Sequence, residues 1–175
     1  PGDPAECFEH GVLATNLASR AQCPVIVALD AVCHDNFTVP RFDLAAVNID
    51  MGKRISEGEL AKIGEYRRYQ IAADGISPMA FPGTKGAMNL VTGNERDEWR
   101  KVSTEPGNRV RMMDKRARKI DTVKPQLPKA VEWGDRAAPV GVVCTGMLGG
   151  VLKEAMDRLE TEGHFFHGHR PRTLW

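Results

Sequence analysis

The sequence predicts an α/β protein, and three stretches carry that expectation. Pro24-Val25-Ile26-Val27-Ala28-Leu29 is a short continuous apolar run that stops at Asp30, the pattern of a strand covered on both faces. Val140-Gly141-Val142-Val143-Cys144 is a second such run, followed by a glycine-rich turn and an amphipathic segment, as in a βαβ unit. Between them, residues 74–99 include Gly75, Pro78, Pro82, Gly83 and Gly86, so no regular element runs through. That stretch also carries Ile76, Met79, Phe81, Met88 and Leu90, which a free linker would not. It reads as an ordered wrapping segment, packed on its own domain or on a partner subunit, rather than as a catalytic loop.

The elements follow in order. Asp3-Pro4-Ala5-Glu6 is a helix start, with Asp3 as cap, Pro4 at the first helical position and Glu6 at capping-box spacing. Phe8, Val12, Leu13 and Leu17, with small Gly11, Ala14 and Ala18, predict a helix largely buried between neighbours and ending near Ala21-Gln22. The strand at 24–29 comes next. Ligands of open α/β sheets gather at the carboxyl ends of strands, so Asp30, Cys33, His34 and Asp35 are the conventional site candidates. The competing reading is that an Asp closing a strand caps a turn. Adjacency does not make Cys33 and His34 a nucleophile–base pair. Residues 37–50, broken by Pro40, read as loop. Ser56 and Glu59 form a capping box ahead of one or two helical turns.

Tyr66-Arg67-Arg68-Tyr69 interleaves aromatics with cations. It has the ingredients for stacking on nucleic acid, but packed tyrosines and carboxylate-paired arginines are the favoured reading. Met88-Asn89-Leu90-Val91 reads as a short strand. Thr104-Glu105-Pro106 opens a helix over 108–123 whose Val110, Met113, Ala117 and Ile120 form one apolar stripe. Its other faces carry Arg109, Arg111, Lys115, Arg116, Arg118 and Lys119, suited to nucleic acid or an acidic partner. A solvated face near a subunit boundary is favoured, because no nucleic-acid readout fold accompanies it.

Pro125 and Pro128 end that helix, and residues 124–135 read as an interdomain linker. The strand at 140–144, the turn Thr145-Gly146-Met147-Leu148-Gly149-Gly150, a helix at 151–161 and a strand at 165–170 complete the second α/β unit. A glycine-rich turn of this kind can cradle phosphate. This one lacks dinucleotide spacing and a P-loop Lys, so close helix–sheet packing is the expected role, against an independent nucleotide-binding enzyme. His167 and His169 share a strand face, but no carboxylate or cysteine lies near them in sequence, and no metal role is assigned.

The totals exclude several classes. An apolar fraction of 42% with 27% charged residues is that of an ordinary globular protein, and a formal charge of +1 supplies no field toward nucleic acid or membrane. No apolar run reaches the roughly 20 residues of a membrane helix, and no signal-peptide pattern opens the chain. Cys7, Cys23, Cys33 and Cys144 form no Cys-x-x-Cys pair, which argues against a cluster, a zinc site or a disulfide framework and for a cytoplasmic setting. No Met precedes Met51 and no closing helix follows Thr173-Leu174-Trp175, so an internal fragment of a longer chain is expected.

Taken together, the motifs resemble one family. Residues 74–99 are similar to its "DGISP-x-A-x-PG … TGNEHDE" segment. Pro1-Gly2-Asp3-Pro4-Ala5-Glu6-Cys7-Phe8-Glu9 resembles its "PxxxECFE" helix, and the run at 24–27 with Asp30 its "PVIVLSD" strand. Gly52-Lys53-Arg54-Ile55 looks like "GKVL", Tyr66 to Tyr69 like "FxRY", Arg109 to Arg116 like "RVxMMxKR", and Arg170 to Trp175 like "RPRTLWP". In this order they identify the chain as resembling the alpha subunit of 2-oxoacid:ferredoxin oxidoreductases, the 2-oxoglutarate type in particular. Three departures stand out: Arg96 where the family usually has His, Arg100 where it often has Gly, and Val32-Cys33-His34-Asp35-Asn36 in place of its "LGH" or "LGMN" loop.

The resemblance implies the C-terminal part of a thiamine-diphosphate pyrimidine-binding domain over 1–50. It implies a wrapping segment, helix 108–123 and long linker over 51–134, and the start of a transketolase C-terminal-like domain over 135–175. It implies oxidative decarboxylation of 2-oxoglutarate or a related 2-oxoacid on thiamine diphosphate, acyl transfer to coenzyme A, and reduction of ferredoxin or flavodoxin. Ligands for thiamine diphosphate, Mg2+ and the [4Fe-4S] cluster are expected in the beta subunit or elsewhere in the complex, and the family's catalytic residues upstream. No catalytic, cofactor-binding or metal residue is therefore carried onto this chain; Asp30, His34 and Asp35 remain strand-end candidates. The alternative reading is a nucleic-acid-binding module using the basic helix 108–123.

Overall fold

A computed structural model of the chain describes residues 1–31 and 41–173. It is an α/β structure with one small mixed sheet. The residues gather into two compact units: one from Pro1–Thr15, Val25–Asn48 and Leu127–Trp175, the other from Asn16–Pro24 and Ile49–Gln126. Helix α1 (Pro4–Ala21) gives its first turns to the former and its last to the latter.

In the first unit, α1 starts as the sequence predicts. The Asp3 carboxylate accepts from the Glu6 N–H at 2.8 Å. Glu6, however, turns to the Gly2 N–H at 2.6 Å rather than closing a box on its cap. The helix is mostly half-buried instead of enclosed, and a methyl group built on Gly11 would meet nothing within 4 Å. Phe8 stacks on Phe42 with ring centroids 4.1 Å apart.

The sheet comprises β1 (Val131–Gly134), β2 (Gly141–Val143) and β3 (His167–Arg170), in the order β1-β3-β2. β2 and β3 are parallel and joined through helix α4 (Leu148–Thr161), the βαβ unit read from sequence. β1 pairs antiparallel to β3, with Trp133 opposite Gly168. That strand corrects the reading of 124–135 as plain linker: a four-residue pairing inside a Pro-flanked stretch is too short for an alternation signal. Gly168 is needed here because a Cβ would come within 2.3 Å of the Trp133 ring.

The expected buried strand at 24–29 is not formed. It has no strand partner among the described residues, and Ile26 is 90% exposed. An apolar run supplies the surface of a buried strand, but only a ladder partner makes it one.

In the second unit, helix α2 (Glu57–Ile63) has the complete capping box. Ser56 Oγ accepts from the Glu59 N–H at 3.3 Å, and Glu59 accepts from the Ser56 N–H at 2.8 Å. Helix α3 (Pro106–Val123) matches the predicted helix with Pro at its start. Its rotation does not match. Asn108, Met112 and Val123 are buried while Val110 and Met113 are exposed, so the apolar stripe faces outward.

The inward face of α3 meets the loop from 69 to 96, whose Gly75 lies at φ +75° against the helix backbone. Around it, Asp74 accepts from the Ile76 N–H at 3.0 Å and from Lys53 Nζ at 3.1 Å, and Thr122 Oγ1 donates to the Asp74 carbonyl at 2.9 Å. Ser77 is 2% exposed and donates to the Gln70 carbonyl at 2.7 Å. Met79 exchanges backbone bonds with Lys53 and Ile55. The first half of the 74–99 stretch is thus ordered by packing, as expected. Met88, Leu90 and Val91 are exposed, and the strand expected there is absent because the segment finds no ladder partner among the described residues.

Tyr66 fastens this loop. It is 3% exposed, accepts from the Ala80 N–H at 3.1 Å and donates to the Pro78 carbonyl at 3.4 Å. Tyr66→Phe is expected to cost about 1–2 kcal/mol by leaving both backbone groups without their partner. Urea unfolding measures this; a midpoint unchanged from wild type would show that the hydroxyl does not hold the loop.

Candidate functional site

The second unit contains a cavity of about 380 Å³ between the inward face of α3 and the 69–96 loop. Six cationic side chains line it, Arg68, Arg96, Arg109, Lys115, Arg116 and Lys119, against a single carboxylate, Glu95. The helix supplies four of them at helical spacing, and the wrapping loop brings the others across.

Glu95 is consumed by two of the arginines. It accepts from Arg116 at 2.7 and 2.9 Å and from Arg109 at 2.8 Å. The Arg116 bond, with Arg109 beside it, holds the Glu95 carboxyl at about 2 against the opposing cost of burial. Among the described residues, no carboxylate bonds to the remaining cations. Lys115 Nζ donates to the Tyr69 carbonyl at 3.0 Å, and Lys119 Nζ to the Gln22 carbonyl at 3.2 Å. Burial first, then the charges of Arg68, Lys119 and Arg116, pull the Lys115 ammonium down to about 8, with Glu98 opposing. Burial likewise lowers Lys119. Arg68 lies over the Tyr69 ring at 5.7 Å and reaches Met79 Sδ at 3.1 Å.

Arg96, a departure noted in the sequence, is 5% exposed. Its guanidinium donates to Thr92 Oγ1 at 2.5 Å and to the Arg100 carbonyl, while its Nε has no partner among the described residues. Arg100, the second departure, sits at φ +74°. That is the left-handed region where glycine carries no steric penalty, which gives a physical reason for glycine at this position.

Of the strand-end candidates, Asp30 is exposed and its carboxylate accepts from the Met147 N–H at 2.8 Å, at the start of α4. It therefore holds the residue just before that helix, 117 positions further along the chain. Cys33, His34 and Asp35 lie outside the described residues. The glycine turn is closed: a Cβ on Gly146 would meet Asp30 Oδ2 at 1.9 Å, and one on Gly149 would meet Arg170 Cδ at 2.6 Å. This is the close packing expected there. Folding also places a carboxylate beside the strand histidines that sequence proximity did not show. Glu132 Oε1 is 3.4 Å from His169 Nδ1, and its Oε2 is 3.9 Å from His167 Nε2. Among the described residues, no group of three His, Cys, Asp or Glu is arranged to hold a metal.

The nucleic-acid reading finds no support. Tyr66 is buried, Arg67 is stacked 3.4 Å over Trp99, and Arg109 and Arg116 are tied to Glu95. No described helix is long and apolar enough to cross a membrane.

No family model matches the chain. It is 33% identical over 93% of its length to the 2-oxoacid:ferredoxin oxidoreductase subunit alpha of Saccharolobus solfataricus, covering 26% of that protein. It is 36% identical over 93% of its length to subunit alpha of 2-oxoacid:ferredoxin oxidoreductase 2 of Aeropyrum pernix, covering 25% of that protein. The structure matches, with a TM-score of 0.88 and 34% identity, the 2-oxoglutarate:ferredoxin oxidoreductase from Magnetococcus marinus solved with 2-oxoglutarate, coenzyme A and succinyl-CoA bound. All of this chain is covered, and 30% of that one.

Fold and sequence thus agree in what the chain is similar to. The chain is similar to the 2-oxoacid:ferredoxin oxidoreductases, and the subunit it matches is alpha. It spans about a quarter of the length of the curated relatives it matches.

Proposed function

We propose that the chain is part of the alpha subunit of an enzyme that oxidatively decarboxylates 2-oxoglutarate or a related 2-oxoacid to its acyl-CoA and passes the electrons to ferredoxin or flavodoxin. The observation that carries this is the match over the whole chain, at 34% identity, to a solved 2-oxoglutarate:ferredoxin oxidoreductase. In this reading residues 1–50 end a pyrimidine-binding domain, 51–134 wrap and link, and 135–175 begin a transketolase C-terminal-like domain. The exposed apolar run at 24–29 then pairs with strands from the three-quarters of the relatives' length that this chain does not span. The chemistry of electron withdrawal comes from thiamine diphosphate when it is bound.

The described residues do not fit the cofactors. The glycine turn is filled by Asp30 and Arg170, and no metal-ligand cluster is present among them. The reading therefore assigns the thiamine diphosphate, Mg2+ and cluster ligands to other parts of the complex, the beta subunit included, and gives this chain a scaffolding role. Asp30, His34 and Asp35 remain candidates for ligand contact at the strand end. The setting is cytoplasmic.

The test uses the complete gene product co-expressed with its beta-type neighbour. Coenzyme-A-dependent viologen reduction is measured with 2-oxoglutarate, pyruvate and a branched-chain 2-oxoacid. Reduction that requires thiamine diphosphate and is fastest with 2-oxoglutarate is expected. No reduction with any of the three, from an assembled and cluster-loaded complex, would refute the proposal.

A further inference from the structure

We infer that the cavity lined by Arg68, Arg96, Lys115 and Lys119 is a binding site for a small molecule bearing a phosphoryl group. The first support is charge. Glu95 is spent on Arg109 and Arg116, which leaves Arg68, Lys115 and Lys119 crowded together in a cavity lining with no other carboxylate, and Glu98 outside that lining only partly offsets Lys115. Burial first, and then the repulsion of neighbouring cations, Arg68 among them, displaces both lysines below the ordinary ammonium range. A bound dianion converts that repulsion into attraction without moving the backbone.

The second support is unspent donors. An ammonium has three N–H groups, and one from each lysine goes to a carbonyl, Tyr69 or Gln22, leaving two on each. Arg96, almost wholly buried in the cavity lining, keeps an Nε–H with no partner among the described residues. Buried donors of this kind are normally satisfied, so an orphan in a cationic cavity points to a missing acceptor. Phosphoryl oxygens supply several acceptors and two negative charges in one compact group.

The third support is size. A volume of about 380 Å³ falls within the roughly 300–1,000 Å³ range of small-molecule sites. This inference does not depend on the reaction proposed above, and its readout is separate from turnover.

The experiment is site-resolved protection on the complete gene product, purified with the subunits that accompany it. Lysines are acylated at pH 8 with a water-soluble active ester, at fixed ionic strength, with and without inorganic pyrophosphate or ADP. Peptide mass spectrometry follows each lysine. Pyrophosphate or ADP is expected to slow acylation of Lys115 about tenfold while Lys153, exposed on α4, is unchanged. Protection by pyrophosphate alone assigns the site to a free phosphate group, and protection by ADP at lower concentration assigns it to a nucleotide. Arg68→Gln is expected to abolish the protection, and Lys119→Gln serves as a second variant should the first fail to fold. Equal labelling of Lys115 with and without both anions overturns the inference. So does protection undiminished in a folded variant, or stronger protection by 2-oxoglutarate than by either phosphoryl compound.

Discussion

Gly75→Ala is expected to cost more than about 3 kcal/mol and to melt the unit built on Asn16–Pro24 and Ile49–Gln126. Two effects combine. The residue sits at φ +75°, where an L side chain is strained by about 1–2 kcal/mol. A Cβ there would also lie 2.4 Å from the Lys115 carbonyl oxygen and 2.4 Å from the Lys119 nitrogen. Both are backbone atoms inside α3, so no side chain can swing aside. Either the helix or the loop must retreat, and the retreat would break the Thr122 bond to the Asp74 carbonyl and the Lys115 bond to Tyr69. Gly58→Ala is the control: it lies in α2, a Cβ there meets nothing within 4 Å, and it should stabilise by up to about 1 kcal/mol. Thermal unfolding of both variants decides it. A Gly75→Ala protein melting with wild type would mean that loop and helix are not in contact.

Glu6→Gln should destabilise the other unit by about 3 kcal/mol at neutral pH. Glu6 accepts from both terminal nitrogens of Arg170 at 2.9 Å, a paired fork, and from Arg172 at 3.3 Å. The Glu6 and Arg170 side chains are only 13% and 11% exposed, so solvent screens the pair little. The fork ties the start of α1 to the end of β3, where Arg170 also lies against Gly149. Removing the carboxylate leaves a largely buried guanidinium uncompensated.

The same pair sets an acid transition. The Arg170 hydrogen bond, against the cost of burial, holds the Glu6 carboxyl at about 2, below its ordinary 4.5. A folded-state value below the unfolded one means the unfolded chain takes up the proton first. The stabilisation is complete above about pH 5 and is lost as pH falls toward 2, amounting to about 3 kcal/mol. Glu95, also held at about 2, contributes acid sensitivity to the second unit, but less, since Arg109 and Arg116 are half-exposed or more. The difference between wild type and Glu6→Gln should therefore shrink between pH 5 and pH 2. A constant difference across that range would rule out Glu6 as its source.

Local chemistry was legible from the sequence wherever a few adjacent residues settle the outcome. The Ser56–Glu59 box, the Pro106 start of α3, the Asp3 cap and the βαβ unit after Val140 all follow from neighbours within one turn or one strand. Gly75 was legible as a break, though not as the point where a loop touches a helix. Asp30 was noticed as a strand end, but its bond to Met147 joins residues that no local rule connects.

The tertiary structure alone decided which way α3 faces and where cations gather. Hydrophobic periodicity picked Val110, Met113 and Ala117 as the inward stripe because it counts only apolar side chains. The neighbour of α3 is an irregular loop whose carbonyls need donors, so Lys115 and Lys119 turn inward around Met112 and the apolar stripe is left outside. The cavity joins residues from four separated stretches, each of which reads singly as an ordinary charged surface. Sequence determined the family resemblance and the local elements, because those depend on residue order. The inward face of α3, the cavity's charge and the unformed strand at 24–29 depend on which partner each segment meets, and only the folded arrangement supplies that.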